Sequence, residues 1–83
     1  MERIYLMSFF NKKKGVAELT ESTLTELFDF IDTKDFYFCK FVEWWAKKNL
    51  KNYTKNFELN DVQTVEMLKE YFSIRNVEFK ILN

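Results

Sequence analysis

An 83-residue chain that is 47% hydrophobic, with 13 basic against 13 acidic residues and no net charge, makes one small domain (1–83). It is long enough to bury a core without staples but too short for two. Neutrality excludes nucleic-acid or membrane binding driven by overall charge, and a single cysteine excludes an internal disulfide and with it the signature of an oxidising compartment.

Arg3 to Phe10 reads as the first strand, with Ile4, Leu6, Ser8 and Phe10 on one face and Tyr5, Met7 and Phe9 on the other. Both faces are largely apolar, which places the strand under cover on at least one side. Asn11-Lys12-Lys13-Lys14-Gly15 breaks it with a solvated turn that holds the sole glycine. Thr20 or Thr23 caps a first helix over about 21–31, and Thr23 with Glu26 has capping-box spacing. Leu24, Leu27, Phe28 and Ile31 follow at i, i+3, i+4 and i+7, while Ser22, Thr25, Glu26 and Asp29 make the outer face.

Asp32-Thr33 restarts the chain into a second helix over about 34–49. Its apolar centre is Phe38, Phe41, Val42 and Trp45, opposite Lys40, Glu43 and Lys47. Tyr37 and Trp44 fall on one border, near Lys40, Lys47 and Lys48, and Cys39 and Ala46 on the other. The polar, basic stretch that follows contains an alternation of Tyr53, Lys55, Phe57 and Leu59 that suggests a short strand at 54–59. Asn60, Asp61 and Gln63 then supply a helix start: a cap, an acid in the first turn, and Gln at the third position. Val65, Leu68 and Phe72 stripe this third helix, and Met67, Tyr71 and Ile74 widen the stripe enough to predict packing on two sides. Asn76 suits a left-handed cap, and Val77, Phe79 and Ile81 alternate with Glu78 and Lys80 in a last strand.

The order predicts an α+β domain: three helices on one face of a two- or three-stranded sheet that joins the chain ends. A small all-α bundle with extended ends is the alternative. Ten Phe, four Tyr and two Trp do not by themselves require an interface. A chain of this mass folds to roughly 5,300 Å² of accessible surface from roughly 14,800 Å², and these rings need only ~2,400–4,000 Å² of the difference.

Chemistry is limited mostly by what is missing. With no histidine, the commonest general base and the Ser-His-Asp and Cys-His arrangements are gone. One cysteine and no histidine leave no usual zinc site, and one glycine leaves no phosphate-cradling loop. The remaining routes are the acids Asp29, Asp32 and Asp35 acting as a carboxylate pair or cation site, and Cys39 as a thiolate. The acids sit where caps and solvated faces are expected, without the burial that raises a carboxyl pKa. Cys39, flanked by Phe38 and Phe41, is expected to be buried and inert. The expectation is a non-enzymatic chain with no cofactor and no metal.

Two surfaces remain for binding. One is basic and aromatic: Tyr37, Lys40, Trp44, Lys47, Lys48, Lys51, Tyr53 and Lys55. Such a mixture suits a single strand of nucleic acid or a protein hot spot, while the scarcity of arginine (Arg3 and Arg75 alone) disfavours base-specific readout. The other is acidic: Glu18, Glu21, Glu26, Asp29, Asp32 and Asp35, suited to a basic surface on a partner. The bland alternative for both is a solvated helix face. The sequence therefore predicts a protein-binding module of inhibitor or adaptor type, with a nucleic-acid-binding module using residues 40–55 as the alternative and self-association as a third. The Phe-, Lys- and Asn-rich composition is what AT-rich genomes encode. The expected setting is an accessory product of a phage or mobile element that blocks a host enzyme such as a defence nuclease. With neither a leader pattern nor a membrane-length apolar run in the sequence, the expected location is cytoplasmic, the host cytoplasm if phage-encoded.

Overall fold

The computed structural model describes residues 2–34 and 37–83. The elements run β1 (Tyr5–Asn11), β2 (Val16–Ser22), α1 (Leu24–Lys34), α2 (Phe38–Asn49), α3 (Asp61–Ile74) and β3 (Val77–Ile81). The strands form one antiparallel sheet in the order β2-β1-β3, so the first and last strands of the chain pair with each other, β1 at the centre and β3 at one edge. This is the expected α+β architecture, with a different third strand. Residues 54–59 form no strand. They turn, with the Phe57 N–H donating to the Thr54 carbonyl at 3.2 Å, and the Tyr53 and Phe57 rings face each other at 5.5 Å. The third strand is instead β2, paired with β1 over seven consecutive residues from Tyr5↔Ser22 to Asn11↔Val16.

Local chemistry explains the hairpin. The Asn11 side chain accepts from the N–H groups of Lys13 (3.0 Å) and Lys14 (3.1 Å), and the Gly15 N–H closes the loop on the Asn11 carbonyl at 2.8 Å. Gly15 has φ +65°, a conformation that a side chain disfavours. The Lys12 N–H donates to the Asn76 carbonyl at 3.0 Å, fastening this loop to the α3–β3 corner. Asn76 there takes φ 60°, the left-handed stop expected of it. At the opposite end of the sheet the Asn83 side chain extends the pairing, accepting from the Leu6 N–H and donating to the Ile4 carbonyl.

The helices begin as their caps dictate. Thr23 rather than Thr20 caps α1: its Oγ1 accepts from the Glu26 N–H, and the Glu26 carboxylate accepts from the Thr23 N–H. Residues 21 and 22, expected in this helix, belong to β2. Asn60 and Gln63 form the reciprocal box at the start of α3. Helix α1 runs on through Asp32 and Thr33, the expected restart, to Lys34, because Ile31 continues its apolar stripe and nothing there breaks it, and α2 begins at Phe38 rather than near residue 34.

One face of the sheet carries the core. Met7, Met67 and Leu68 are completely buried, surrounded by Tyr5, Leu24, Leu27, Ile31, Phe38, Trp45, Tyr71 and Phe79. Helix α3 packs on two sides, as its wide stripe predicted. Phe72 meets Phe9 and Phe79 of the sheet at 5.2 and 5.5 Å, and Tyr71 meets Phe38 and Phe41 of α2 at 4.9 and 5.3 Å. Ile74, expected to widen that stripe, is instead exposed, because it is the last residue of the helix. No buried side-chain nitrogen or oxygen among the described residues lacks a partner. No helix among them is long and apolar enough to cross a membrane.

Candidate protein-binding groove

Paired residues of neighbouring strands point to the same side of a sheet. Phe9↔Glu18, Met7↔Thr20 and Tyr5↔Ser22 therefore put Glu18, Thr20 and Ser22 on the helix side, while Ala17, Leu19 and Glu21 lie on the outer side with Phe10, Ser8 and Leu6. Strand β2 nonetheless buries almost nothing: residues 16–21 are all exposed. The helices cover β1 and β3 and leave β2 overhanging. Beneath the overhang lies a groove of about 680 Å³, open to solvent. Phe9, Leu27, Ile31 and Phe72 supply apolar lining and Phe30 extends it along α1, while Leu19 and Val77 line it from β2 and the start of β3. Leu19 is 65% exposed and Phe30 60% exposed.

The acidic surface read from the sequence is here, in a different arrangement. Glu18 and Glu21 lie on opposite sides of β2, Glu26 comes from α1, and all three line the groove. Glu26 also serves the helix cap, where its carboxylate accepts from the Thr23 hydroxyl at 3.1 Å. Asp29 is exposed one turn further along α1, outside the groove lining; its backbone carbonyl accepts from the Thr33 hydroxyl. The carboxylates of Asp32 and Asp35 lie outside the described residues. Among the described residues no group of His, Cys, Asp or Glu has the arrangement of a metal site.

The residues of the expected basic-aromatic surface are mostly exposed. Tyr37, at the start of α2, is 63% exposed and Trp44 is 50% exposed; Lys40, Lys47, Lys48 and Lys51 are exposed, and Tyr53 is half-buried. Its charge is partly matched from within. The Lys47 ammonium lies 3.1 Å from Glu43 and 5.8 Å from the centre of the Tyr53 ring. The hydrogen bond to Glu43, then the charges of Glu43 and Tyr53, hold Lys47 above the usual lysine pKa. Lys48 sits over the Trp44 ring at 4.9 Å and 4.0 Å from Glu70. Glu70 in turn accepts the indole N–H of the buried Trp45 at 2.8 Å. Two of the lysines best placed for phosphate thus already have anionic neighbours.

Cys39 is exposed, not buried as its neighbours suggested. It lies roughly 100° round the helix from Phe38, beyond the apolar stripe, whereas Ala46 on the same border is fully buried. The sequence missed the overhanging strand and with it the groove. The available signals were faint: Leu19 is an apolar residue between Glu18 and the polar run Thr20-Glu21-Ser22, and Phe30 is an aromatic out of phase with the Leu24-Leu27-Ile31 stripe. Comparison of the chain with protein-family models, with curated proteins and with solved structures gives no match.

Proposed function

We propose that this chain is a non-enzymatic protein-binding module of inhibitor or adaptor type, and that the groove between β2 and α1 is its contact surface. The observation that carries this is an apolar surface left open beneath an exposed strand and edged by Glu18, Glu21 and Glu26. Exposed apolar surface edged by charge is what a binding site needs. The molecule as a whole also exposes 6298 Å², nearly a fifth more than the ~5,300 Å² typical of a monomer of its mass. That excess is comparable to the ~800 Å² each partner contributes to an ordinary interface.

The acidic edge selects a cationic partner. Proteins that handle nucleic acid present such surfaces, which favours the setting of a phage or mobile-element product blocking a host enzyme of that kind, a defence nuclease for example. The test is affinity isolation with paired variants. Phe30→Ser with Glu21→Lys should abolish retention of a partner that the wild type retains. Lys47→Glu with Lys48→Glu should keep it. The opposite pattern would move the function to α2.

A second reading, single-stranded nucleic-acid binding along α2, is favoured by the exposure of Tyr37 and Trp44 beside Lys40 and Lys51. It predicts oligonucleotide binding that weakens steeply with salt. Titration with labelled single strands at low salt decides it, and absence of a tryptophan fluorescence change there would reject it.

A further inference from the structure

Resting on the groove as the contact surface, we infer that its occupant is an extended, cationic segment of a partner protein, added as a fourth strand along the open edge of β2. The first observation is the edge itself. Among the described residues strand β2 pairs only with β1, over seven residues without a bulge, and Val16–Ser22 contains no lysine, arginine or proline. Edges kept from pairing carry lysine, proline, inward-pointing charges or bulges, or are short or covered. The other edge fits that pattern: β3 is five residues long and carries Lys80. The only charges on β2 are acids, Glu18 on the helix side and Glu21 on the outer side, which disfavour an acidic strand and favour a cationic one. Alternate N–H and C=O groups of β2 point outward, and no strand among the described residues receives them.

The second observation is what lies beside that edge. A strand laid along β2 turns every second side chain to the helix side, towards the groove lined by Phe9, Phe30 and Phe72, and the others to the outer side, beside Glu21. Main-chain bonds then supply affinity and the alternating pockets supply specificity, the usual division of labour in strand addition. The third observation is charge. A second copy of this chain would bring Glu18, Glu21 and Glu26 against the same three acids, and β2 offers no cation to relieve them. Lysine or arginine on the partner does relieve them, so the occupant is a cationic segment and not another β2.

Three blocked seven-residue peptides test this on the whole protein: alternating Val and Lys, alternating Val and Glu, and the Val-Lys peptide N-methylated at alternate residues. Calorimetric titration gives affinity, and amide hydrogen exchange of residues 16–22 reports the edge. The Val-Lys peptide is expected to bind and to slow exchange of alternate β2 amides roughly tenfold or more, and N-methylation to weaken it by at least roughly tenfold through the lost main-chain bonds. The Val-Glu peptide is expected not to bind, and Glu18→Lys with Glu21→Lys to reverse the preference. Equal binding of the N-methylated peptide would overturn strand addition while leaving the groove intact. A Val-Lys peptide that neither binds nor shifts the resonances of Phe30 and Ile31 would overturn the strand and the groove together. Indifference to the Glu→Lys changes would overturn the charge match alone.

Discussion

Replacing Glu70 by alanine removes the acceptor of a buried indole N–H. Trp45 is nearly inaccessible, and its nitrogen lies 2.8 Å from one Glu70 oxygen; the other oxygen lies 4.0 Å from Lys48. Two effects can therefore be separated. Leaving a buried donor unsatisfied costs about 1–3 kcal/mol, whereas an exposed ion pair at the limit of contact contributes about 0–1 kcal/mol. Glu70→Ala is expected to lower stability by about 1–3 kcal/mol, which in a domain of this length lowers Tm by about 4–8 °C per kcal/mol. Glu70→Gln keeps an oxygen acceptor and is expected to cost under about 1 kcal/mol. Lys48→Ala should stay within about 0.5 kcal/mol of the wild type. Urea unfolding followed by tryptophan fluorescence measures all three on one scale. If Glu70→Gln and Lys48→Ala each cost as much as Glu70→Ala, charge pairing rather than the indole hydrogen bond holds α2 to α3, and the reasoning fails. The outcome also bears on function, because Glu70 is one of the acids that temper the basic surface around Trp44.

Other expectations follow from single residues. Asn60→Ala should cost about 1 kcal/mol by opening the α3 capping box, and Gln63→Ala combined with it should cost less than the sum, because each partner's hydrogen bond depends on the other; a thermal melt of the double-mutant cycle reads this. Gly15→Ala meets no atom within 4 Å, so its cost is the positive φ alone, about 1–2 kcal/mol; a stabilised variant would show that the hairpin loop is not held in this conformation. Met67→Ala, at a completely buried position, should cost about 2–5 kcal/mol by urea titration. The hydrogen bond from Tyr5 to Asp61, with burial and the Asp61 charge adding to it, raises the Tyr5 phenol above its ordinary pKa. Its contribution to stability is therefore complete below the unfolded value of about 10 and is lost as pH rises through the higher folded value. Tm should fall more steeply above about pH 10 in the wild type than in Tyr5→Phe, and parallel curves would refute the coupling.

Much of this architecture is legible in the chain because it rests on local chemistry with period and punctuation. The Asn60–Gln63 box, the Thr23–Glu26 box, the stop at Asn76 and the alternation of Val77, Phe79 and Ile81 all occur where the residues place them. Each is a short-range hydrogen bond or a burial pattern with a two- or four-residue repeat, so neighbours in sequence suffice to specify it. The exposed aromatic flank of α2 is legible for the same reason, since Trp44 and Tyr37 lie off the apolar stripe of their own helix.

Strand β2 is different. A half-buried strand announces itself by alternating apolar and polar residues, and Val16-Ala17-Glu18-Leu19-Thr20-Glu21-Ser22 has no such alternation because it buries neither face. Its conformation comes from pairing with β1 across the Asn11–Gly15 loop, an influence that a reading of its own residues cannot register. Residues 54–59 show the converse: Tyr53, Lys55, Phe57 and Leu59 alternate as a strand would, yet no partner strand lies beside them, and the rings pack locally instead. The sequence by itself determined the helices, the two terminal strands, the absence of the usual catalytic groups and the polarised charge. Only the tertiary structure decided that the acids Glu18, Glu21 and Glu26 share one groove and that an unpaired strand edge runs beside it. The reason is that a groove is a space between elements, set by which part of a sheet its helices fail to cover, and no single segment of chain encodes that.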